Sequence, residues 1–311
     1  MTAADTPAFV FLGSSDFAAA VLRDLDAASW RPLLVVTPPD RGRGRGRRLR
    51  PPPTTLAAAE LGLNLHQTAS INSEPSREAV LATGAVVAVV CAFGQLVGAE
   101  LLAALPMLNA HPSLLPRWRG AAPIERALMA GDERTGTCVM RLTEGLDSGP
   151  VALRSEVPIG PADSYGSLAP RLAVASAGLL AEALALSAAG ELDARFREQD
   201  EEGASYAEKI ERAERIVDPS RPAAVEERRI RALTPHIGAA VVLDRGERLG
   251  VRSGGLAPAG PGPGGFAIAD DELLLGCADG AIRLAEVQPA GGRWMAASKY
   301  LRGRGLPSPL R

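Results

Sequence analysis

The chain has 311 residues, 46% of them hydrophobic, which suffices for one large domain or two ordinary ones with packed cores. Its 34 Lys and Arg against 36 Asp and Glu leave a net charge of −2, which argues against a globally basic nucleic-acid binder and confines any such contact to a local patch. Cys91, Cys138 and Cys277 lie far apart in apolar surroundings, so they read as small buried hydrophobes rather than as disulfides or zinc thiolates. The opening MTAADTPAFVFLG lacks a basic leader, and no run of about 18 apolar residues suggests a bilayer span. The expected setting is the reducing cytoplasm.

The first half alternates strand-like and helix-like segments. Residues 8–12 predict a short strand ending at Gly13, and residues 16–25 a helix with apolar residues at helical spacing. A second strand is expected at 33–36, then an arginine- and glycine-rich loop at 41–50. A helix at 54–61, a strand at 63–66, a helix at 78–82, a buried strand at 85–91, the end of a helix at 101–104 and a strand at 107–111 follow. This alternation predicts a parallel sheet covered on both faces, with ligands bound beyond the carboxyl ends of its strands. Residues 163–189 predict a long helix capped by Gly190. The charged stretch after it reads as a linker. Beyond Tyr206, short runs at 239–243, 265–268, 273–275 and 282–287, separated by Gly/Pro stretches such as SGGLAPAGPGPGG (253–265), predict a small β-barrel. The expected division is a catalytic domain at 1–190, a linker at 191–207 and a C-terminal domain at 208–311.

The stretch NAHPSLLPRWRGAAPIERAL (109–128) is unlike ordinary core sequence. Asn109 and His111, two apart on a strand, share one face and can reach the same substrate atom. Further on, EGLDSGP (144–150) presents Asp147 in a glycine-flanked turn. An Asn, a His and an Asp suit acyl transfer to an amine. The amine is itself the nucleophile, so the site must cradle an oxyanion. The Asn109 amide and a protonated His111 are candidate donors to it, and Asp147 keeps His111 charged and accepts the amine proton directly or through water. A lone His on a strand is more often structural, and an Asp in a turn more often a turn former, so the residues alone leave both readings open.

At these residues the chain resembles the formyltetrahydrofolate-dependent transferases and hydrolases. SLLPRWRGAAPI (113–124) is similar to their signature, preceded by Asn-x-His and followed by Gly-Leu-Asp. FLGSSDFAAAVL (11–22) resembles their opening strand, turn and helix. PDRGRGRGRRL (39–49), SYAEKI (205–210) and VQPAGGRWM (287–295) resemble segments of the members that formylate a charged tRNA. The resemblance implies an α/β fold, a Rossmann-like formyltransferase domain followed by a β-barrel of the oligonucleotide-binding type. It implies Asn109, His111 and Asp147 as the catalytic residues, and Ser113, Leu114, Leu115, Pro116, Phe93 and Gly94 around the folate. The formyl donor implied is 10-formyltetrahydrofolate, with no metal, and the chain is expected to be monomeric.

Folate chemistry does not fix the acceptor. Six arginines between 41 and 50 favour tRNA, because an arginine loop can follow a phosphate backbone. Arg41, Arg43, Arg45, Arg47 and Arg48 of this loop are the candidate tRNA contacts, and the resemblance places Arg45 and Lys209 on the tRNA path, with methionyl initiator tRNA as the partner. From Ser205 onward 16 Lys and Arg face 13 Asp and Glu, an excess of 16 − 13 = 3, so the C-terminal domain is only weakly basic. Thr234-Pro235-His236 departs from the family's usual Asn-Pro-Trp-like stretch. A sugar-nucleotide formyltransferase and a non-catalytic RNA-binding protein of the same fold are the alternatives.

Overall fold

A computed structural model describes residues 7–43 and 48–308. In chain order the first half forms β1 (Phe9–Gly13), α1 (Asp16–Ala27), β2 (Leu34–Thr37), β3 (Arg41–Arg43), β4 (Arg48–Arg50), α2 (Pro53–Glu60), β5 (Leu65–Gln67), α3 (Glu74–Leu81), β6 (Val87–Cys91), α4 (Ala99–Ala104), β7 (Met107–His111), β8 (Arg119–Gly120), α5 (Pro123–Ala130), β9 (Arg134–Arg141), β10 (Val151–Pro158) and α6 (Tyr165–Ala188). There follow β11 (Tyr206–Ala207), α7 (Ala223–Leu233), β12 (Ala239–Val242), β13 (Arg248–Ala257), β14 (Phe266–Ala269), β15 (Glu272–Gly276), β16 (Ala281–Gln288), β17 (Met295–Ala296) and α8 (Ala297–Arg304).

The chain divides into two compact units. One holds the residues up to Gly120, Arg134–Pro158 and Ala169–Tyr206; the other holds Ala121–Glu133, Ile159–Leu168 and the chain from Ala207. Two stretches inside the expected catalytic domain thus group with the second unit. The stretch 191–206, read from sequence as linker, groups with the first. Its attachment is specific: Arg197 and Val151 exchange backbone hydrogen bonds of 2.8 and 3.0 Å, adding an edge contact beyond β10.

The first unit is built on a seven-stranded sheet of order β10-β9-β7-β6-β1-β2-β5. β1, β2, β5, β6 and β7 are parallel, whereas β9 and β10 run antiparallel. The sheet is therefore mixed rather than wholly parallel. The parallel part is a Rossmann-like arrangement: every residue of β1, β6 and β7 is buried, as expected where helices cover both faces. α1 starts where the Ser15 side chain accepts a hydrogen bond from the Ala18 amide at 3.1 Å. The chain moves outward from β1 to β2 and β5, then returns to the other side of β1 with β6. That reversal puts the carboxyl ends of β1 and β6 at a crevice, with β7 beside them.

α6 is long and apolar enough to cross a bilayer by length and composition. Its inner face argues for a core helix: Leu172, Leu180 and Leu184 are fully buried, and Ser176 hydrogen-bonds Thr137 of β9 at 2.7 Å. The second unit carries an antiparallel sheet of order β12-β13-β16-β15-β14, with β17 on β16. Val251, Leu273, Leu275, Ile282 and Leu284 form its inner face and pack with Ile230 and Leu233 of α7 and Tyr300 of α8. β13 runs to Ala257, through part of the Gly-rich stretch expected to be loop. Its register shifts at Ser253 and Gly255, the latter at φ +108, let the strand pass where a regular ladder would break.

Candidate active site

β7 ends in Asn109-Ala110-His111. Strand alternation turns Ala110 one way and both polar side chains the other, at 7% and 4% exposure. Asn109 and His111 lie in register with Met140 and Cys138 of β9. The loop after β9 returns Asp147 to them. Its backbone stands at φ +46, a region that L residues rarely occupy. Gly149 is required next to it, because a Cβ there would run into the Arg141 carbonyl. The fold thus brings together the three residues singled out from sequence.

Asn109 Nδ2 donates to Asp147 Oδ1 at 3.2 Å, and the Gly120 amide donates to Asp147 Oδ2 at 2.9 Å. His111 Nδ1 lies 3.6 Å from Asp147 Oδ2. That is an ion-pair separation, too long for a direct hydrogen bond. The imidazole's other nitrogen, Nε2, donates to the Trp118 carbonyl at 2.8 Å. A carbonyl can only accept, so Nε2 carries hydrogen and Nδ1 faces the carboxylate. Trp118 itself has φ +67, so two non-glycine residues in the left-handed region flank the same His111.

The residues expected around the folate divide by orientation. Ser113 is fully buried and its hydroxyl donates to the Arg117 carbonyl at 2.7 Å, shaping the loop from within. Leu115 is buried against Cys138, Met140 and Val151. The Phe93 ring lies in the core beside Val90 and Leu101. Leu114 and Pro116 are half-buried, and Gly94 is exposed at φ +76, so these present surface and backbone beside the trio's strand. Leu96, which sequence reasoning did not single out, and Leu146 of the Gly-Leu-Asp turn are 82% and 58% exposed on the loops after β6 and β9.

Arg119, Gln199 and Ser205 were also not singled out. Trp118's amide donates to Ser205 Oγ at 3.0 Å, and Arg119's to the Ser205 carbonyl at 2.8 Å, so the His111-bearing loop is held from the segment after α6. The arginine-rich stretch forms an antiparallel ribbon at its base, with Arg41 opposite Arg50 and Arg43 opposite Arg48. Arg41 is exposed, and Arg45 and Arg47 lie outside the described residues. Lys209 is exposed in the second unit.

Cys91 and Cys138 sit behind this site as buried thiols, pushed by burial up to about 12 and about 11. Neither is placed to act as a nucleophile at neutral pH.

Comparison with known proteins gives a consistent assignment. Residues 8–184 match the family model described as formyl transferase, and 209–305 match the model described as formyl transferase, C-terminal domain. A methionyl-tRNA formyltransferase of Mesorhizobium japonicum is 42% identical over 304 residues, covering 94% of this chain and 95% of its own. The enzyme of the same name from Phenylobacterium zucineum is 43% identical, covering 97% and 98%. Among solved structures, HypX from Aquifex aeolicus in complex with tetrahydrofolic acid superposes with a TM-score of 0.64 at 16% identity, over 98% of this chain and 49% of that one, a likeness of fold. The chain belongs to the formyl transferase family and, within it, to the methionyl-tRNA formyltransferases.

Proposed function

We propose that this enzyme transfers the formyl group of 10-formyltetrahydrofolate to the free amino group of methionyl initiator tRNA, in the cytoplasm, for translation initiation. The observation that carries the reading is the convergence of Asn109, His111 and Asp147 at the carboxyl end of β7. Exposed Leu96 and Leu146 offer apolar surface beside that strand end, which fits a flat pterin.

In the reaction the amine nitrogen bonds to the formyl carbon and the bond from that carbon to N10 of the folate breaks. N10 gains a proton and the amine loses one, so the products are the formamide and tetrahydrofolate. Asn109 gives one amide N–H to Asp147, and its second is suited to the developing oxyanion. Asp147 stabilises a proton on His111 Nδ1, which is the second donor to that oxygen. The carboxylate then aids transfer of the amine's proton through water. Arg41, Arg43, Arg45, Arg47 and Arg48 are assigned to the tRNA phosphates, with Lys209 on the same substrate.

The test is formylation of methionyl initiator tRNA measured beside elongator methionyl-tRNA, an amino-sugar nucleotide and water. Preferential transfer to the initiator tRNA is expected. Transfer to the sugar nucleotide with none to tRNA would replace the acceptor while leaving the chemistry intact.

A further inference from the structure

A charged, solvent-facing stretch carries a side chain that reaches the turn holding Asp147. The Gln199 carboxamide donates through Nε2 to the carbonyl oxygens of both Asp147, at 2.8 Å, and Gly149, at 2.7 Å. Its Oε1 accepts from Arg119 Nε at 3.0 Å. The Arg119 guanidinium is 2% exposed and forks onto Glu201 at 2.8 and 3.1 Å.

Arg119 occupies a particular place in the chain. The residue before it supplies the carbonyl that takes the Nε2–H of His111, and the residue after it supplies the amide that donates to the Asp147 carboxylate. One three-residue run therefore holds two of the three catalytic side chains, His111 and Asp147, and its middle side chain holds Gln199, which holds the Asp147 backbone. The Gln199 bonds fix the backbone of Asp147 and Gly149 in a turn that stands in the left-handed region, at φ +46 for Asp147. A carboxamide suits this position, since it gives two N–H groups to the turn while its oxygen answers the arginine. A glutamate could satisfy the arginine alone.

We propose that Gln199 is a positioning residue for formyl transfer, fixing the Asp147 turn, and that Arg119 with Glu201 holds Gln199 in place. The proposal rests on the reading of Asp147 as catalytic. In energetic terms the bonds add preorganisation rather than substrate affinity, because none of these groups faces the reacting atoms.

The experiment uses the full chain with 10-formyltetrahydrofolate and methionyl initiator tRNA, measuring kcat and both KM values for Gln199→Leu, Gln199→Glu, Asp147→Asn and the double variant Gln199→Leu/Asp147→Asn. Gln199→Leu is expected to lower kcat roughly 10- to 100-fold with both KM values within about threefold of the parent. Gln199→Glu, which keeps the acceptor for Arg119 and loses both donors, should fall comparably. It carries the test alone should the leucine variant fold poorly. In the Asp147→Asn background Gln199→Leu should cost far less than in the parent, because its effect passes through the carboxylate already removed. Parent-like kcat in Gln199→Glu, or full additivity in the double variant, would overturn the proposal. Near-normal turnover of Asp147→Asn would instead overturn the catalytic reading beneath it.

Discussion

The Trp118 carbonyl accepts the Nε2–H of His111 at 2.8 Å, and this one bond decides that Nδ1 is the nitrogen turned to Asp147. Replacing Asp147 by Asn keeps a residue type that tolerates the left-handed backbone found there while removing the charge facing Nδ1. Turnover is expected to fall by roughly 10²–10⁴-fold, with folate affinity and melting temperature close to the parent. Rapid-quench formylation and folate titration measure the two halves; near-normal turnover would remove Asp147 from the mechanism.

Where the catalytic unit ends is a second expectation. Leu192 is buried, Arg197 pairs with Val151, and Gln199, Glu201 and Ser205 bond the loops around the trio. A chain ended at Gly190 should therefore melt below one ended at Tyr206, by several degrees if about 1–2 kcal/mol of these contacts is lost. It should also bind folate more weakly. Equal melting of the two fragments would show that 191–206 adds nothing to the unit.

The arginine ribbon predicts salt dependence. Each phosphate neutralised contributes close to one unit of slope in the logarithm of affinity against the logarithm of salt. Arg45→Ala should weaken tRNA use much more than folate affinity, and replacing all six arginines between 41 and 50 should flatten the slope. Titrating tRNA and folate separately across salt concentrations is the measurement; unchanged tRNA affinity, turnover and slope would count the ribbon out.

Acid stability gives a check on the second unit. Arg126 forks onto Glu214, and that hydrogen bond holds the Glu214 carboxyl below its usual range, with the Glu211 amide adding to the effect against burial. A lowered pKa in the folded state means the unfolded chain binds the proton more readily. The stabilisation is therefore present above the ordinary glutamate value of about 4.3 and lost as pH falls through the lower folded one. Glu214→Gln should cost about 0.5–1 kcal/mol at pH 7, and the gap should narrow below about pH 4. Thermal melts of parent and variant across pH are the test, and a constant gap from pH 7 to 3 would contradict the assignment.

What could be read from sequence follows from local pattern strength. β6 and β7 announce themselves because VAVVC and MLNAH are buried on both faces, and the same strand places Asn109 beside His111. β9 and β10 are hard to read because RTGTCVMR and VALRSEVP lack a continuous apolar run; β10 lies at the sheet's edge and leaves alternate residues in contact with solvent. α7 mixes AAV with EERR, and only its packing on the second sheet selects Ile230 and Leu233 as the inner face. The sequence around Gln199, REQDEEG, reads as solvated linker, because nothing local reveals that one amide among those charges meets a turn 52 residues earlier. Arg119 offered a hint: an arginine fixed inside so stiff a loop calls for a carboxylate partner.

The distances along the chain between the site's partners have a kinetic meaning. Asn109 meets Asp147 across 38 residues, Gln199 meets it across 52, and Arg119 meets Glu201 across 82. Loops of that length lose chain entropy on closing before their contacts return anything, and polar contacts return little, so such pairings are expected late in folding. β1 and β6 also pair across a long stretch, Phe9 with Val87, but they bury apolar side chains on both faces as they do so, whereas the Asp147 turn gains only polar contacts from its backing. Regain of turnover during refolding therefore reports the arrival of the 191–206 segment, whereas regain of helical ellipticity reports only the sheet and its covering helices.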